Sequence, residues 1–264
     1  MFEIPAALLS WFYGLTADYT VAIGLMAVVV VVITTPLALR SARTTLVMQG
    51  LEPEKRRLQS EYGDDHVGLN EQARSLYREH KVSPAAPFLS PLVHAAVFVI
   101  MFRVLRGLTY TPHGSARPIA NAVWGAFGRP DQVADPGFIP RYMALDSPLY
   151  EALFGEREML SLGLDLSKSA ASEITDGVIT AWPYILLVVV LGALYFALQR
   201  TIAERALISP TMPTRKQKRL LYLPVILAGF QIFFLAALVV YYIVQTLARI
   251  VQQTYITRSL SSQT

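Results

Sequence analysis

The sequence predicts an all-α integral membrane protein, a bundle of apolar helices carrying one charged helical segment. Three observations predict it. Four uncharged stretches, 19–39, 82–102, 177–199 and 220–248, each reach the about 20 residues that a helix needs to cross a hydrocarbon core about 30 Å thick. Apolar residues make up 53% of the chain and charged residues 16%, a charge content low for a soluble domain. The basic residues are also unevenly placed, which gives the bundle an orientation.

Segment 40–81 holds eight Lys and Arg, and segment 200–219 holds six. The long segment 108–176 carries five against nine Asp and Glu. Basic residues near span ends stay on the cytoplasmic side. The expected topology therefore puts 40–81 and 200–219 inside, and 108–176 and the N-terminus outside. The net charge of +4 reads as topology; nucleic-acid binding would need a concentrated basic face.

Residues 1–18 are too short to span. Ile4, Leu8, Leu9, Trp11, Phe12 and Leu15 predict an outer interfacial helix with Trp11 and Tyr13 at headgroup depth; a frayed terminus is the alternative. The first basic residue is Arg40, whereas a cleavable signal peptide begins with a basic region. The first span, 19–39, is expected to be retained, in a bacterial plasma membrane. Its valine run, Val28–Val32, costs nothing in lipid, where the helix satisfies its own backbone. Thr34, Thr35 and Pro36 can loosen its last turns, since proline removes one backbone bond, and the threonine hydroxyls can re-satisfy the freed carbonyls.

Segment 40–81 reads as a helical hairpin. Leu51, Leu58 and Tyr62 form one stripe and Leu69, Ala73, Leu76 and Tyr77 another. Gly63 to Gly68 supplies the turn signal. The second span, 82–107, carries His94 near its middle, and Arg103 at its outer end snorkels to headgroups. The external loop 108–176 is expected to be an ordered cap or an interaction surface, with a short helix around Ser147–Phe154. The third span, 177–199, is anchored at its outer edge by Trp182 and Tyr184. After a loop at 200–216, the last apolar region is too long for one ordinary span. Two helices, 217–234 and 235–256, keep both basic flanks inside, with a tail at 257–264. One tilted span is the alternative.

Ionisable and amide side chains inside spans are expensive, so each is a functional candidate. The candidates for a hydrated groove are His94, Gln231 and Gln245, with Thr34, Thr35, Thr246, Tyr241 and Tyr242 as weaker members. The competing reading for each is an interhelical hydrogen bond. There is no cysteine, and the four histidines never fall at metal-ligand spacing. No Ser/His/Asp grouping or phosphate loop is present, so the sequence predicts no enzyme, no metal and no cofactor.

Several segments in order carry a resemblance. They are Pro36-Leu37, Met48-Gln49-Gly50-Leu51-Glu52-Pro53, Glu61-Tyr62-Gly63-Asp64-Asp65 and Leu76-Tyr77-Arg78 to Val82-Ser83-Pro84. Further on come Leu162-Gly163-Leu164-Asp165-Leu166, Gln217-Lys218, Leu223-Pro224-Val225-Ile226, Tyr241-Tyr242-Ile243-Val244 and Gln252-Gln253. From about Trp11 to Arg258 the chain resembles the YidC/Oxa/Alb membrane protein insertases. The resemblance implies a five-span bundle and a groove that receives the polar part of a nascent membrane protein while its apolar part slides into lipid. It also implies a cytoplasmic hairpin that recruits the incoming chain, through contacts at Met48, Gln49, Tyr62 and Tyr77. The implied partners are nascent chains, the lipid bilayer, the Sec translocon and the ribosome.

The sequence departs from that pattern at definite places. Val31 stands where relatives place a groove arginine, His94 stands for a glutamine, and Ala96 for a proline. Leu235-Ala236-Ala237 replaces a Pro-Ser-Gly turn, and Ser259–Thr264 lacks a basic extension. The expected groove is less cationic, and a non-translocating assembly factor is the alternative function. A small solute channel would need paired repeats and charged pathway residues that the chain lacks.

Overall fold

The computed structural model describes residues 2–63, 65–80, 86–111, 137–206 and 229–261. Nine α-helices fall among them: α1 (Glu3–Thr16), α2 (Tyr19–Gly50), α3 (Glu52–Tyr62), α4 (His66–Glu79) and α5 (Ala86–Leu108), then α6 (Pro148–Leu153), α7 (Ala170–Asp176), α8 (Val178–Ala206) and α9 (Ala236–Ser261). A two-stranded hairpin, β1 (Leu160–Ser161) and β2 (Leu164–Asp165), lies between α6 and α7. The predicted all-α class holds for the bundle.

Helix α9 is the centre of that bundle and packs along α2 on one side and α8 on the other. Small residues allow the approach: Ala22, Ala27, Ala236 and Ala237 are buried, and a side chain on Gly24 would meet Val244 at 3.6 Å. Helix α5 closes the packing with Met101, Val104, Leu105 and Leu108. Its Phe98 ring stacks on Tyr242 at 5.9 Å. The apolar surface left outside is extensive. Val28, Val32 and Ile33 of α2 are exposed, as are Leu186, Val189 and Phe196 of α8. Helices over Tyr19–Ser41 and Ile179–Thr201 are long and apolar enough to cross a membrane, and only 28% of each is buried within the chain. A soluble core helix would be mostly buried, so these faces fit lipid.

Helix α2 does not end with its apolar run. It continues past Arg40 to Gly50, 32 residues in all, or about 48 Å at 1.5 Å per residue. Charge ends a span but not a helix. Helix α2 runs on through Pro36, and the threonine hydroxyls bond to backbone carbonyls as expected. The Thr34 hydroxyl donates to the Val30 carbonyl at 2.8 Å and that of Thr35 to the Val31 carbonyl at 2.8 Å, holding the turn despite proline. The two-helix reading of 40–81 becomes α3 and α4, with residues 40–50 belonging to α2. The turn is shorter than expected: Asp65 caps α4 by accepting from Val67 and Gly68 amides, so Gly68 lies inside the helix. Its bareness is needed there, since a Cβ would fall 2.6 Å from Asp65 Oδ2 and 2.9 Å from the Tyr62 ring.

At the other end of the bundle α1, α6, the β-hairpin and α7 form a cap. Helix α1 is ordered, which excludes the frayed alternative; it buries Ala6, Leu9, Ser10 and Phe12 and exposes Ile4, Trp11 and Leu15. Ser147, as expected, opens a short helix, accepting from the Tyr150 amide. The β-hairpin turns through Leu162 (φ 52°) and Gly163 (φ 78°), the paired positive φ of a type I′ turn. Asp165 organises the cap. Its Oδ1 accepts from the Met159 and Ser167 amides at 2.9 and 3.0 Å and from the Ser167 hydroxyl at 2.6 Å.

One sequence expectation needs correction here, and one alternative reading falls. Tyr184 is not an exposed anchor: it is buried, and its hydroxyl donates to the Asp165 carbonyl and accepts from the Asp165 amide, both at 3.2 Å. An aromatic at the end of an apolar run suggests an interface, but here tertiary pairing claims it. The stretch 220–248 is also not one tilted helix. A 3-10 turn at Gln231–Phe233, extended Phe234 and a bridge from Leu235 to Ser169 interrupt it. The expected helix 217–234 and the loop 200–216 fall largely outside the described residues, as does 112–136 of the external loop.

Candidate functional site

One face of α9 carries Tyr241, Gln245, Arg249 and Gln252 at spacings of four, four and three, the repeat that stacks side chains on a single helical stripe. This face meets α2 and α8, so polar groups are drawn into the bundle. Tyr241, Gln245 and Thr246 are all buried. Gln245 Nε2 donates to the Tyr241 hydroxyl at 3.3 Å. From the 3-10 turn, buried Gln231 donates to the Tyr195 hydroxyl of α8 at 3.4 Å, and Thr246 is buried one residue past Gln245. At the far end of the stripe Gln252 Nε2 donates to Thr35 Oγ1 at 2.7 Å, tying α9 to α2.

This seam is incompletely satisfied. Gln231 Oε1, the Tyr242 hydroxyl and Arg249 Nε are enclosed and have no hydrogen-bond partner among the described residues. The rings of Tyr195, Tyr241 and Tyr242 lie within electrostatic range of the Arg249 guanidinium. Each orphan group costs about 1–3 kcal/mol. The seam therefore lowers the stability of the bundle, which the surrounding apolar packing carries.

The structure sorts the expected groove residues. Tyr241 and Gln245 bond each other on α9, Tyr242 is their neighbour, Gln231 bonds to Tyr195 of α8, and Thr35 bonds to Gln252 further along α9. Thr34 does not join them, since its hydroxyl bonds back into its own helix. His94 lies one turn before Phe98 on α5, on the stripe whose Phe98 stacks on Tyr242, and is half-buried. The hairpin residues form a separate group. Met48 lies near the end of α2, about 20 Å along the axis from Thr35. Tyr62 packs over Gly68 in the α3–α4 turn, while Tyr77 is half-buried on α4; the Gln49 side chain is outside the described residues. Sequence reasoning missed Tyr195 and Arg249. Counting Arg249 as the flank of a span hid the four-four-three spacing that would have found it. Two surface hollows lie elsewhere, in the cap, beside Tyr19 and Glu156 and beside Ser10 and Pro148.

The sequence profile described as 60Kd inner membrane protein matches residues 11–263. The chain belongs to the 60Kd inner membrane protein family. The YidC/Oxa/Alb resemblance is thus borne out over nearly the full length. Among its relatives, the membrane protein insertase YidC of Marinobacter nauticus is 26% identical over 97% of this chain and 35% of that protein. The YidC of Maridesulfovibrio salexigens is 30% identical over 44% of this chain and 22% of its own length. That of Rickettsia massiliae is 34% identical over 37% and 17% respectively. The chain thus spans about a third or less of the length of these curated relatives. In this 60Kd inner membrane protein family member, the seam on α9 is the feature that packing alone does not explain.

Proposed function

We propose that this protein is a membrane protein insertase and chaperone of a bacterial inner membrane, acting without nucleotide, metal or cofactor. The observation that carries the reading is the polar seam running from Gln231 through Tyr195 and Thr246 to Arg249 and Gln252, within a bundle otherwise apolar. Polar groups of a nascent chain face a large desolvation cost in hydrocarbon. A seam of unsatisfied donors and acceptors lowers that cost along one path, while the exposed valines of α2 offer the apolar segment a surface beside lipid. The names of the relatives support the same activity.

In this reading the chain crosses five times, at 19–39, 82–107, 177–199, 217–234 and 235–256. The N-terminus and the cap are outside and the C-terminus is cytoplasmic. Charge asymmetry supports that orientation. The α3–α4 pair then stands in the cytoplasm and receives the client through Met48, Gln49, Tyr62 and Tyr77. His94 contributes to the groove wall. The Sec translocon and the ribosome are the partners such a reaction would use.

Complementation of an insertase-depleted strain tests the reading. The wild type is expected to restore growth, and His94→Leu combined with removal of 51–80 to lower insertion at least tenfold. Undiminished insertion by that double variant in proteoliposomes would overturn it. Failure of the wild type to rescue, with stable co-purification of one membrane protein, would assign the chain to assembly without translocation.

A further inference from the structure

The larger hollow of the cap lies where the first span begins. It measures about 590 Å³ and is lined by Tyr19, the first residue of α2, by Leu160 of β1, and by Glu156, Arg157 and Glu158. The connection from α6 to β1 that supplies the three charges is held at both ends. The Gly155 amide donates to the Phe138 carbonyl at 3.0 Å, and the Glu156 carbonyl accepts from the Phe138 amide at 2.7 Å. Buried Met159 donates its amide to Asp165 Oδ1 at 2.9 Å. Three exposed side chains of alternating charge are thus presented from a fixed backbone. The Tyr19 hydroxyl donates to the Ala152 carbonyl at 3.4 Å on the wall of the same hollow, and a hydroxyl that donates can also accept.

Helix α2 sets the depth. Tyr19–Ser41 is long and apolar enough to cross a membrane, so Tyr19 marks the level where hydrocarbon gives way to headgroups. An exposed apolar stripe starts two residues on. Val21, Leu25, Val28 and Val32 are exposed at spacings of four, three and four, which is one helical face. The hairpin carrying exposed Leu160 and Leu162 is tied to this end of α2 by Ser161, whose hydroxyl accepts from the Thr20 amide at 3.2 Å. A charged hollow above and an apolar stripe below match the two halves of a phospholipid.

The charges choose the headgroup. A guanidinium holds a phosphate through charge-assisted bonds, and the carboxylates on either side of Arg157 in the chain favour a cation next to that phosphate. Two carboxylates against one guanidinium leave the set net negative, which disfavours an anionic headgroup with no amine. A primary ammonium donates three hydrogen bonds, to Glu156, Glu158 and Tyr19. A quaternary ammonium donates none and is held by cages of aromatic faces, whereas Tyr19 is the one aromatic among the described residues that line this hollow.

We propose that this hollow binds the headgroup of phosphatidylethanolamine, its phosphate on Arg157 and its ammonium on Glu156 and Glu158, with an acyl chain along the α2 stripe. The site lies apart from the seam. It goes beyond the insertase reading and needs only that α2 span the membrane.

The test uses the full chain in phosphatidylcholine vesicles that carry a small fraction of phospholipid with a photoreactive acyl chain and an ethanolamine, choline or glycerol headgroup. Labelling of residues 19–28 is read by mass spectrometry. The ethanolamine lipid should label about fivefold more strongly than either of the others. Glu156→Gln with Glu158→Gln should bring it down to the choline level. Labelling by the choline lipid should stay unchanged in that variant, which shows the fold intact. Glu156→Asp with Glu158→Asp should keep most of the preference. Soluble phosphoethanolamine should not compete, because it has no chain for the stripe.

Equal labelling by the three lipids in the wild type, or an ethanolamine preference that survives the paired glutamine changes, overturns the proposal. A preference for the glycerol lipid overturns it too, by making the guanidinium alone the determinant. Full competition by soluble phosphoethanolamine would assign the hollow to a free phosphate ester and remove the lipid from it.

Discussion

The cap and the seam satisfy their polar groups to different degrees. In the cap, Asp165 Oδ1 accepts three hydrogen bonds, Tyr184 brackets the Asp165 backbone, Ser161 joins Thr20 to Asp18, and one enclosed atom, Asp165 Oδ2, has no partner among the described residues. In the seam, the amide bonds of Gln231 and Gln245 are long at 3.4 and 3.3 Å, that of Gln252 is short at 2.7 Å, and three enclosed atoms have no partner among the described residues. On the proposed insertase reading, the difference separates what holds the molecule together from what it does. Satisfied buried networks rigidify, and unsatisfied ones keep capacity for another molecule.

The sharpest way to break that comparison is Asp165→Ala. It strips three donors of their acceptor at once, and should cost about 3–5 kcal/mol, read as a large fall in the thermal unfolding midpoint in detergent. A small change would mean that the cap is held by its apolar contacts alone. Gln231→Leu should do the reverse. It removes an orphan acceptor and leaves a weak bond unmade, so stability should hold or rise by up to about 1 kcal/mol while insertion of polar-tailed clients falls. A variant that loses stability and keeps insertion would make the seam a second structural network. Leu162→Asn is the gentlest change. A left-handed leucine costs about 1–2 kcal/mol, which asparagine relieves, so the same melting assay should show a gain of about 1 kcal/mol or less with insertion unchanged.

How much of this was legible depended on whether the signal was local. The short helix at Pro148–Leu153 was visible because Ser147-Pro148 is a cap and first-turn pair. The spans were visible because their length follows from a fixed rise per residue. Tyr184 was misread because its partner Asp165 is chosen by the fold, and the extent of α2 because charge marks a span boundary only. The groove set was half visible. Gln231, Tyr241, Tyr242 and Gln245 stand out as polar residues in apolar runs, whereas Arg249 vanished once the run was taken to end before it. The partner of Gln252, Thr35, lies across the bundle and could only be found in space.

The valine run of α2 has one more consequence. Side chains branched at Cβ are nearly locked in a single rotamer on a helix, so Val28, Val32 and Ile33, exposed along α2, have little motion left to lose. A sliding apolar segment that presses on leucine or methionine must freeze those side chains, at up to about 1–2 kcal/mol each for the most flexible. Against valine it pays almost nothing of that kind. On the proposed insertase reading, the outer surface of α2 is a low-friction rail, able to be touched and released by many different sequences without holding any of them.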